Sequence, residues 1–185
     1  MSGNGHLTAA QVRARLSHPI IDADGHWLEY GPLVRQHLKR IGGERAVEGF
    51  GIFGSQVMRD LSLSVAERRH RRIAQEAWWA LPTKNTRDRA TATMPRLLYE
   101  RMEELGLDFA VLYPSAGLGL PRIPDAATRT VTCRAFNTFT AEHFHKFSDR
   151  ISPAAVIPMH TPDEAIPFRA YVDELGRRGV RIEEL

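Results

Sequence analysis

The segment "PRLLYERMEELGLDFAVLYPS", residues 95–115, joins an amphipathic helix directly to a buried strand and decides the fold class. In its first half Leu98, Met102 and Leu105 fall on one face of a helix, and Gly106 follows where the helix is expected to end. Its second half contains the apolar run "LDFAVLY", which has the length of a strand. Helices that alternate with buried strands are typical of α/β proteins with a parallel sheet.

The same alternation continues on both sides of this segment. Upstream, "IIDADGHW" (20–27) is predicted as a strand because it begins with β-branched residues. Downstream, we expect a long helix over 125–147, a buried strand over 151–159, a helix over 161–179 and the beginning of a further strand in "VRIEEL" (180–185). This order predicts βαβ units and about four parallel strands in a single domain, residues 1–185.

The stretch between the first two predicted strands, about residues 28–106, is far longer than an ordinary connection. Within it we expect a helix over 32–43, which begins at a proline and ends at a glycine pair, and a second helix over about 62–79. Residues 44–60 are ambiguous, with an irregular loop at "GFGIFG", and residues 82–90 are predicted as a loop.

Composition excludes several classes of protein. The 185 residues are 43% hydrophobic with a mean hydropathy of −0.32, and no apolar run approaches the ~18 residues of a membrane span. The N-terminus lacks the pattern of a secretory signal. The single cysteine, Cys133, has no basic cluster beside it and is expected to be an unreactive thiol in a reducing compartment. We therefore expect a cytoplasmic protein with no membrane partner.

A net charge of +3 and the short cationic run "ERRHRR" (67–72) are the features that would suit nucleic acid. The run has no interleaved aromatic residues and matches no nucleic-acid motif, so we predict a solvated helix face and no nucleic-acid partner. The excess of arginine over lysine equally suits carboxylates, which a planar guanidinium binds through two parallel hydrogen bonds.

Three polar side chains interrupt the first predicted strand. Asp22, Asp24 and His26 are spaced two residues apart, so in a regular strand they share one face. Such groups need partners, because burying lone charges costs several kcal/mol each. Arginines or a divalent cation would supply them, and imidazole nitrogen and carboxylate oxygen are standard ligands of zinc and manganese. The alternative is an ordinary cluster of Asp and His that faces solvent at the end of a strand.

The segments "IIDADGHW", "PRLLYERMEELGLDFAVLYPS", "FNTFTAEHF" (136–144) and "DRISPAAVIPMHTPDEAI" (149–166) follow one another in this order over most of residues 18–183. In this combination they resemble the amidohydrolase-related family of metal-dependent hydrolases, the group that includes aminocarboxymuconate-semialdehyde decarboxylase. The resemblance implies a TIM-like (β/α)8 barrel with its active site at the C-terminal ends of the strands. It also implies a divalent metal, and hydrolysis or non-oxidative decarboxylation of a small carboxylated substrate.

The resemblance also assigns roles in the first strand. Asp24 and His26 match the first-strand metal pair, which in the family is commonly His-x-His or Glu-x-His. Asp24 departs from that pattern, although a carboxylate remains a competent ligand. Asp22 matches a position that is usually acidic, where support of the strand or of the ligands is expected rather than metal binding. Zinc is the expected ion, with manganese as the alternative.

Three candidates for a substrate pocket follow from the positions of later strands. Tyr113, Ser115 and His160 lie at the C-terminal ends of predicted strands, where barrel active sites gather. For His160 the preferred alternative is a hydrogen bond to the backbone near a helix cap at Thr161.

The long insertion supplies further pocket candidates. Trp78, with its neighbour Trp79, is a candidate to stack on a substrate ring, and Arg87 and Arg89 are candidates to bind a carboxylate. Packing in the core or exposure in a surface loop are the more frequent roles of such residues. The pair "HFH" (143–145) lies on a predicted helix, where two imidazoles at this spacing point apart, and is not expected to bind a metal.

The resemblance does not extend to a full set of catalytic ligands. In the family the remaining ligands and the catalytic acid lie on later strands, and an eight-stranded barrel usually needs about 250 residues. A catalytic zinc site typically has three protein ligands and a water. We therefore expect the N-terminal part of a barrel, inactive as it stands and completed by a C-terminal half or by a homo-oligomer. The alternative is a non-catalytic α/β module, completed by a partner or by self-association.

Overall fold

The computed structural model describes residues 6–72 and 85–177, with side chains described throughout except in residues 53–61 and 176–177. In chain order the elements are α1 (Ala9–Arg13), β1 (Ile21–Trp27), α2 (Gly31–Leu61), α3 (Val65–His70), α4 (Thr86–Thr91), α5 (Pro95–Leu105), β2 (Phe109–Pro114), α6 (Ala126–Phe144), β3 (Ile151–Pro153) and α7 (Pro162–Arg177). Short 3₁₀ turns span Gly117–Arg122 and His145–Phe147. In these ranges no helix combines the length and the apolar character that a membrane span requires.

The three strands form one parallel sheet in the order β1-β2-β3, with β2 in the middle. Strand order follows chain order, and each crossover contains a helix, as parallel pairing requires. The α/β class and the parallel sheet are thus confirmed, while closure into a (β/α)8 barrel remains a prediction.

Helix α6 lies at the centre of the hydrophobic core. Its Phe136 and Phe144 are completely buried, and Trp27 at the end of β1 stacks on the first ring and meets the second edge to face. Met102 of α5 is buried in the same cluster. Side chains of β2 alternate between buried and half-buried, so one face of the sheet enters this core and the other does not. Burying each such side chain stabilises the fold by about 1.5–3 kcal/mol.

Local capping signals set the boundaries of α1, α5 and α7. Thr8 and Gln11 form a reciprocal capping box at the start of α1, with Thr8 Oγ1 accepting from the Gln11 amide at 3.2 Å. Gly106 adopts a left-handed conformation, with φ of 73°, and ends α5. Thr161 Oγ1 accepts from the Glu164 amide at 3.2 Å at the start of α7.

The insertion between β1 and β2 contains more helix than the sequence predicts. Helix α2 is interrupted at Gly43, where φ is 70°, and then continues to Leu61 through the predicted loop. The reason is tertiary packing: Gly49 lies against α6 so closely that an added Cβ would stand 2.1 Å from Thr132 Oγ1. Gly49 therefore serves helix–helix contact, and Gly43 provides the backbone conformation of the kink.

Two further predictions in the insertion are corrected. Residues 82–90 are not a loop throughout, because Asn85 Oδ1 accepts from the Arg87 amide at 2.9 Å and caps α4. Of the helix predicted over 62–79, the structure describes α3 over Val65–His70. Trp78 and Trp79 lie outside the described residues.

The strand predicted over 151–159 is shorter than expected. β3 ends at Pro153, and beyond it the amide of Asn137 in α6 holds both backbone groups of Val156, each at 2.9 Å. A buried side chain thus takes the place of a neighbouring strand there. The further strand predicted at 180–185 falls outside the described part of the chain.

Candidate functional site

A β-bulge in β1 determines how its polar side chains are directed. Asp22 is opposite Ala110 of β2, whereas Gly25 is opposite Leu112, so β1 accommodates one extra residue over this interval. Asp22 Oδ1 accepts a hydrogen bond from the Asp24 amide at 3.1 Å, inside the bulge. The carboxylate of Asp22 therefore binds the backbone of its own strand.

The bulge separates the three polar residues that the sequence places on one face. Asp22 shares the face of Ala110, which is buried against the helices, whereas His26 is opposite Tyr113 on the other face of β2. The prediction of a single row is therefore wrong, because the alternation of side chains is shifted by the extra residue. Asp24 lies within the bulged interval, where the register gives it no partner in β2, and it precedes His26 by two residues.

His26 lies among the residues at the carboxyl ends of β1 and β2. Its ring centroid is 6.0 Å from that of Tyr113, and its Nδ1 is 3.4 Å from Ser115 Oγ. Ser115 is buried, and its amide donates to the Trp27 carbonyl oxygen at 3.2 Å, which continues the pairing of the two strands. The structure thus brings together His26, Tyr113 and Ser115, and it leaves Asp24 exposed.

Glu29 is a further charged residue of this region that the sequence analysis does not single out. Its carboxylate accepts hydrogen bonds from the amides of Ala116 and Gly117, at 2.9 and 2.8 Å. Burial raises the pKa of Glu29, and these amide hydrogen bonds oppose the increase. The side chain ties the loop after β2 to the end of β1. The only feature of the sequence that could have indicated Glu29 is its position three residues after His26.

His160 lies at the start of α7 beside a carboxylate. Its Nδ1 is 3.7 Å from Glu164 Oε2, so the partner of this half-exposed imidazole is a side chain and not the backbone near Thr161 that the sequence favours. Glu164 is held in turn by the buried Arg129 of α6, with the closest nitrogen and oxygen 2.7 Å apart. This arrangement anchors α7 to α6.

The arginines predicted to bind a substrate carboxylate lie on α4. Arg87 is paired with Glu104 of α5, with Nη2 and Oε2 3.1 Å apart, and both side chains are exposed. Arg89 is also exposed. Arg101, which is buried, donates to Asp88 Oδ1 and to Glu104 and joins α4 to α5. Arg87 therefore belongs to a network of ion pairs on the surface.

The "HFH" pair behaves as the sequence predicts. His143 is within α6 and packs on Phe139 and Trp27, with ring centroids 5.2 and 5.9 Å apart, and burial lowers its pKa. His145 instead places Nδ1 2.8 Å from the Glu142 carbonyl oxygen. The two imidazoles have different neighbours, in agreement with two side chains that point apart.

Strand β1 contains two residues that could bind a metal ion. Asp24 and His26 offer a carboxylate and an imidazole two residues apart in β1, and both groups are ligands that suit zinc or manganese. Across residues 6–72 and 85–177, no group of three or more His, Cys, Asp or Glu side chains is placed to hold an ion. The residues fit part of a metal site.

A scan of the sequence against protein-family models gives no match, and a search of curated proteins finds no significant relative.

Proposed function

We propose that this chain is the N-terminal part of an amidohydrolase-related, metal-dependent enzyme, in which Asp24 and His26 bind a divalent ion. The observation that carries the proposal is the position of His26, beside Tyr113 and Ser115 at the carboxyl ends of two parallel strands, with Asp24 two residues before it in β1. Active sites of barrels and of open α/β sheets lie at this end of the strands.

The chemistry proposed is hydrolysis or non-oxidative decarboxylation of a small carboxylated substrate. When bound, zinc, or manganese in its place, would polarise the substrate or lower the pKa of a bound water. The hydroxyl of Ser115 holds the orientation of the His26 imidazole, and Asp22 fixes the bulge that separates it from the pair. Glu29 holds the loop after β2, which carries Ser115, against the end of β1.

Two ligands hold an ion weakly, and a catalytic zinc site has three protein ligands and a water. We therefore propose that the chain is inactive by itself and that further ligands come from a C-terminal half or from another copy of the chain. The buried free thiol of Cys133 fits a cytoplasmic, reducing environment.

A non-catalytic α/β module completed by a partner or by self-association is the second candidate. It is favoured by the edges of the sheet, because within the described part of the chain β1 and β3 each pair with one strand only. Ile21 on β1 and Met159 beyond β3 are 57% and 78% exposed. Unpaired edges beside exposed apolar side chains are surfaces on which proteins associate.

A zinc titration of the whole chain, in competition with a chromophoric chelator, tests the metal pair. We expect Asp24→Asn and His26→Gln each to lower the affinity for zinc at least about tenfold. Substitution of residues that only hydrogen-bond to metal ligands already lowers metal affinity by this factor. Manganese binding is measured in parallel by the same competition.

Two variants serve as matched controls. Asp22→Asn keeps an oxygen that can accept from the Asp24 amide, and His18→Gln removes an exposed imidazole outside the strand, so both are expected to bind zinc like the wild type. Equal zinc affinity in the wild type and in the Asp24→Asn/His26→Gln double variant would contradict the proposed site.

A further inference from the structure

A cavity of about 540 Å³ opens at the carboxyl ends of β2 and β3, against one side of α7. Small-molecule sites typically have volumes of about 300–1,000 Å³. The residues that define it are Tyr113, Leu118 and Val156 from the sheet and its loops, and Ile166, Arg169 and Val172 from α7. The three α7 residues recur at every third position, so they form one side of that helix.

Most of the cavity wall is apolar, and part of that wall is open to solvent. Ile166 is 67% exposed and Met159, which also lines the cavity, is 78% exposed. Large apolar side chains that are exposed together around a concavity mark a binding surface, whereas scattered ones do not.

The lining of the cavity also includes a positive charge. Among the described residues that line the cavity, Arg169 is the only charged one. A guanidinium has five N–H donors in a planar fork, so it can bind a carboxylate through two of them and still keep another partner. Tyr113 connects the cavity with the candidate metal pair, because its ring also lies 6.0 Å from that of His26.

We propose that this cavity binds a small amphipathic carboxylate, an aryl or short alkyl acid. Its apolar body lies between Val156 and the Ile166–Val172 side of α7, and its carboxylate binds Arg169. The identification of this ligand with the substrate rests on the proposed function. Binding itself requires neither the metal nor any further ligand, so it is measured with EDTA present.

The experiment compares 4-phenylbutyrate with 4-phenylbutanol, which has the same body without the charge, by isothermal titration calorimetry on the whole chain. We expect saturable binding of the acid, tighter than the alcohol by about tenfold, as a hydrogen-bonded charge provides. Arg169→Gln is expected to reduce the affinity for the acid to that for the alcohol. Ile166→Glu is expected to weaken both ligands.

Arg96→Gln, a change at an exposed arginine of α5, is the matched control and leaves both affinities unchanged. Residues 166 and 169 are exposed, so their substitution leaves the core intact, and circular dichroism checks the fold. Equal affinity for acid and alcohol, or an acid affinity that Arg169→Gln leaves unaltered, overturns the proposal. So does a dimer that the ligand dissociates, since the cavity would then be an interface between copies.

The two proposals fail separately. Asp24→Asn is expected to bind 4-phenylbutyrate like the wild type, because the carboxylate lies at Arg169. A wild-type chain that binds the acid but not zinc disproves the metal site alone. A wild-type chain that binds zinc but not the acid disproves the cavity assignment alone.

Discussion

At the scale of single residues, Glu29 makes the stability of the fold depend on pH. Burial raises the pKa of Glu29, with the amides of Ala116 and Gly117 opposing the increase, so the folded state holds the proton more tightly than the unfolded chain. The contribution of this group to stability therefore falls as the pH rises from the ordinary value of 4.5 through the folded-state pKa.

Glu29→Gln cannot ionise, and we expect the free energy of unfolding of the wild type, minus that of this variant, to fall as the pH rises. Urea denaturation between roughly pH 4 and pH 7 measures this difference. The contributions of all other titrating groups cancel in it if the rest of the structure is unchanged. A difference that is constant or rises with pH contradicts the assignment.

The sequence allowed part of the site to be predicted and not the rest. The neighbourhood of His26, Tyr113 and Ser115 follows from the common direction of parallel strands. The orientation of Asp22 does not, because one inserted residue reverses the face and no local pattern reveals it. Glu29 binds backbone amides far along the chain, and amides carry no sequence signal.

At the scale of elements, the packing of α2 on α6 depends on glycine. A Cβ at Gly49 would stand 2.1 Å from Thr132 Oγ1 and 3.1 Å from its Cβ, whereas a Cβ at Gly51 would meet nothing within 4 Å. We expect Gly49→Ala to destabilise the protein by about 1–3 kcal/mol through overpacking.

Gly51→Ala serves as the matched control in the same helix and is expected to be neutral or to stabilise by up to about 1 kcal/mol, because alanine is the better helix former. Thermal and urea denaturation of the two variants provide the comparison. Equal stability of both variants would show that α2 and α6 do not pack as closely as the structure has them.

The same contact explains why some elements are predictable and others are not. Helices α5 and α6 carry apolar residues at helical spacing together with caps or a glycine stop, so local sequence and packing agree. In residues 44–60 the glycines indicate a loop locally, but Gly49 lies within a helix because its close approach to α6 leaves no room for a side chain. β3 ends early because Asn137, distant in sequence, binds the backbone of Val156.

At the scale of the whole molecule, the sheet is open on the side away from the helices. Ile21 is opposite Phe109, and this register places it on the face of the sheet that also carries Tyr113. One face of the sheet is therefore covered by α5 and α6, while the other exposes apolar side chains next to the edge strand β1. Buried groups such as Arg129 and Glu164 hold the helical layer together but leave this face unchanged.

Such an open face predicts self-association that increases with concentration, which sedimentation velocity measures. We expect Ile21→Lys to shift the chain toward monomer, because a lysine on an edge strand must be desolvated when another strand or sheet approaches. Val65→Lys, at a comparably exposed apolar residue on α3, tests for a general effect of added charge and is expected to associate like the wild type. A wild type that is monomeric at every concentration, or two variants that behave alike, would rule out this face as an interface between copies.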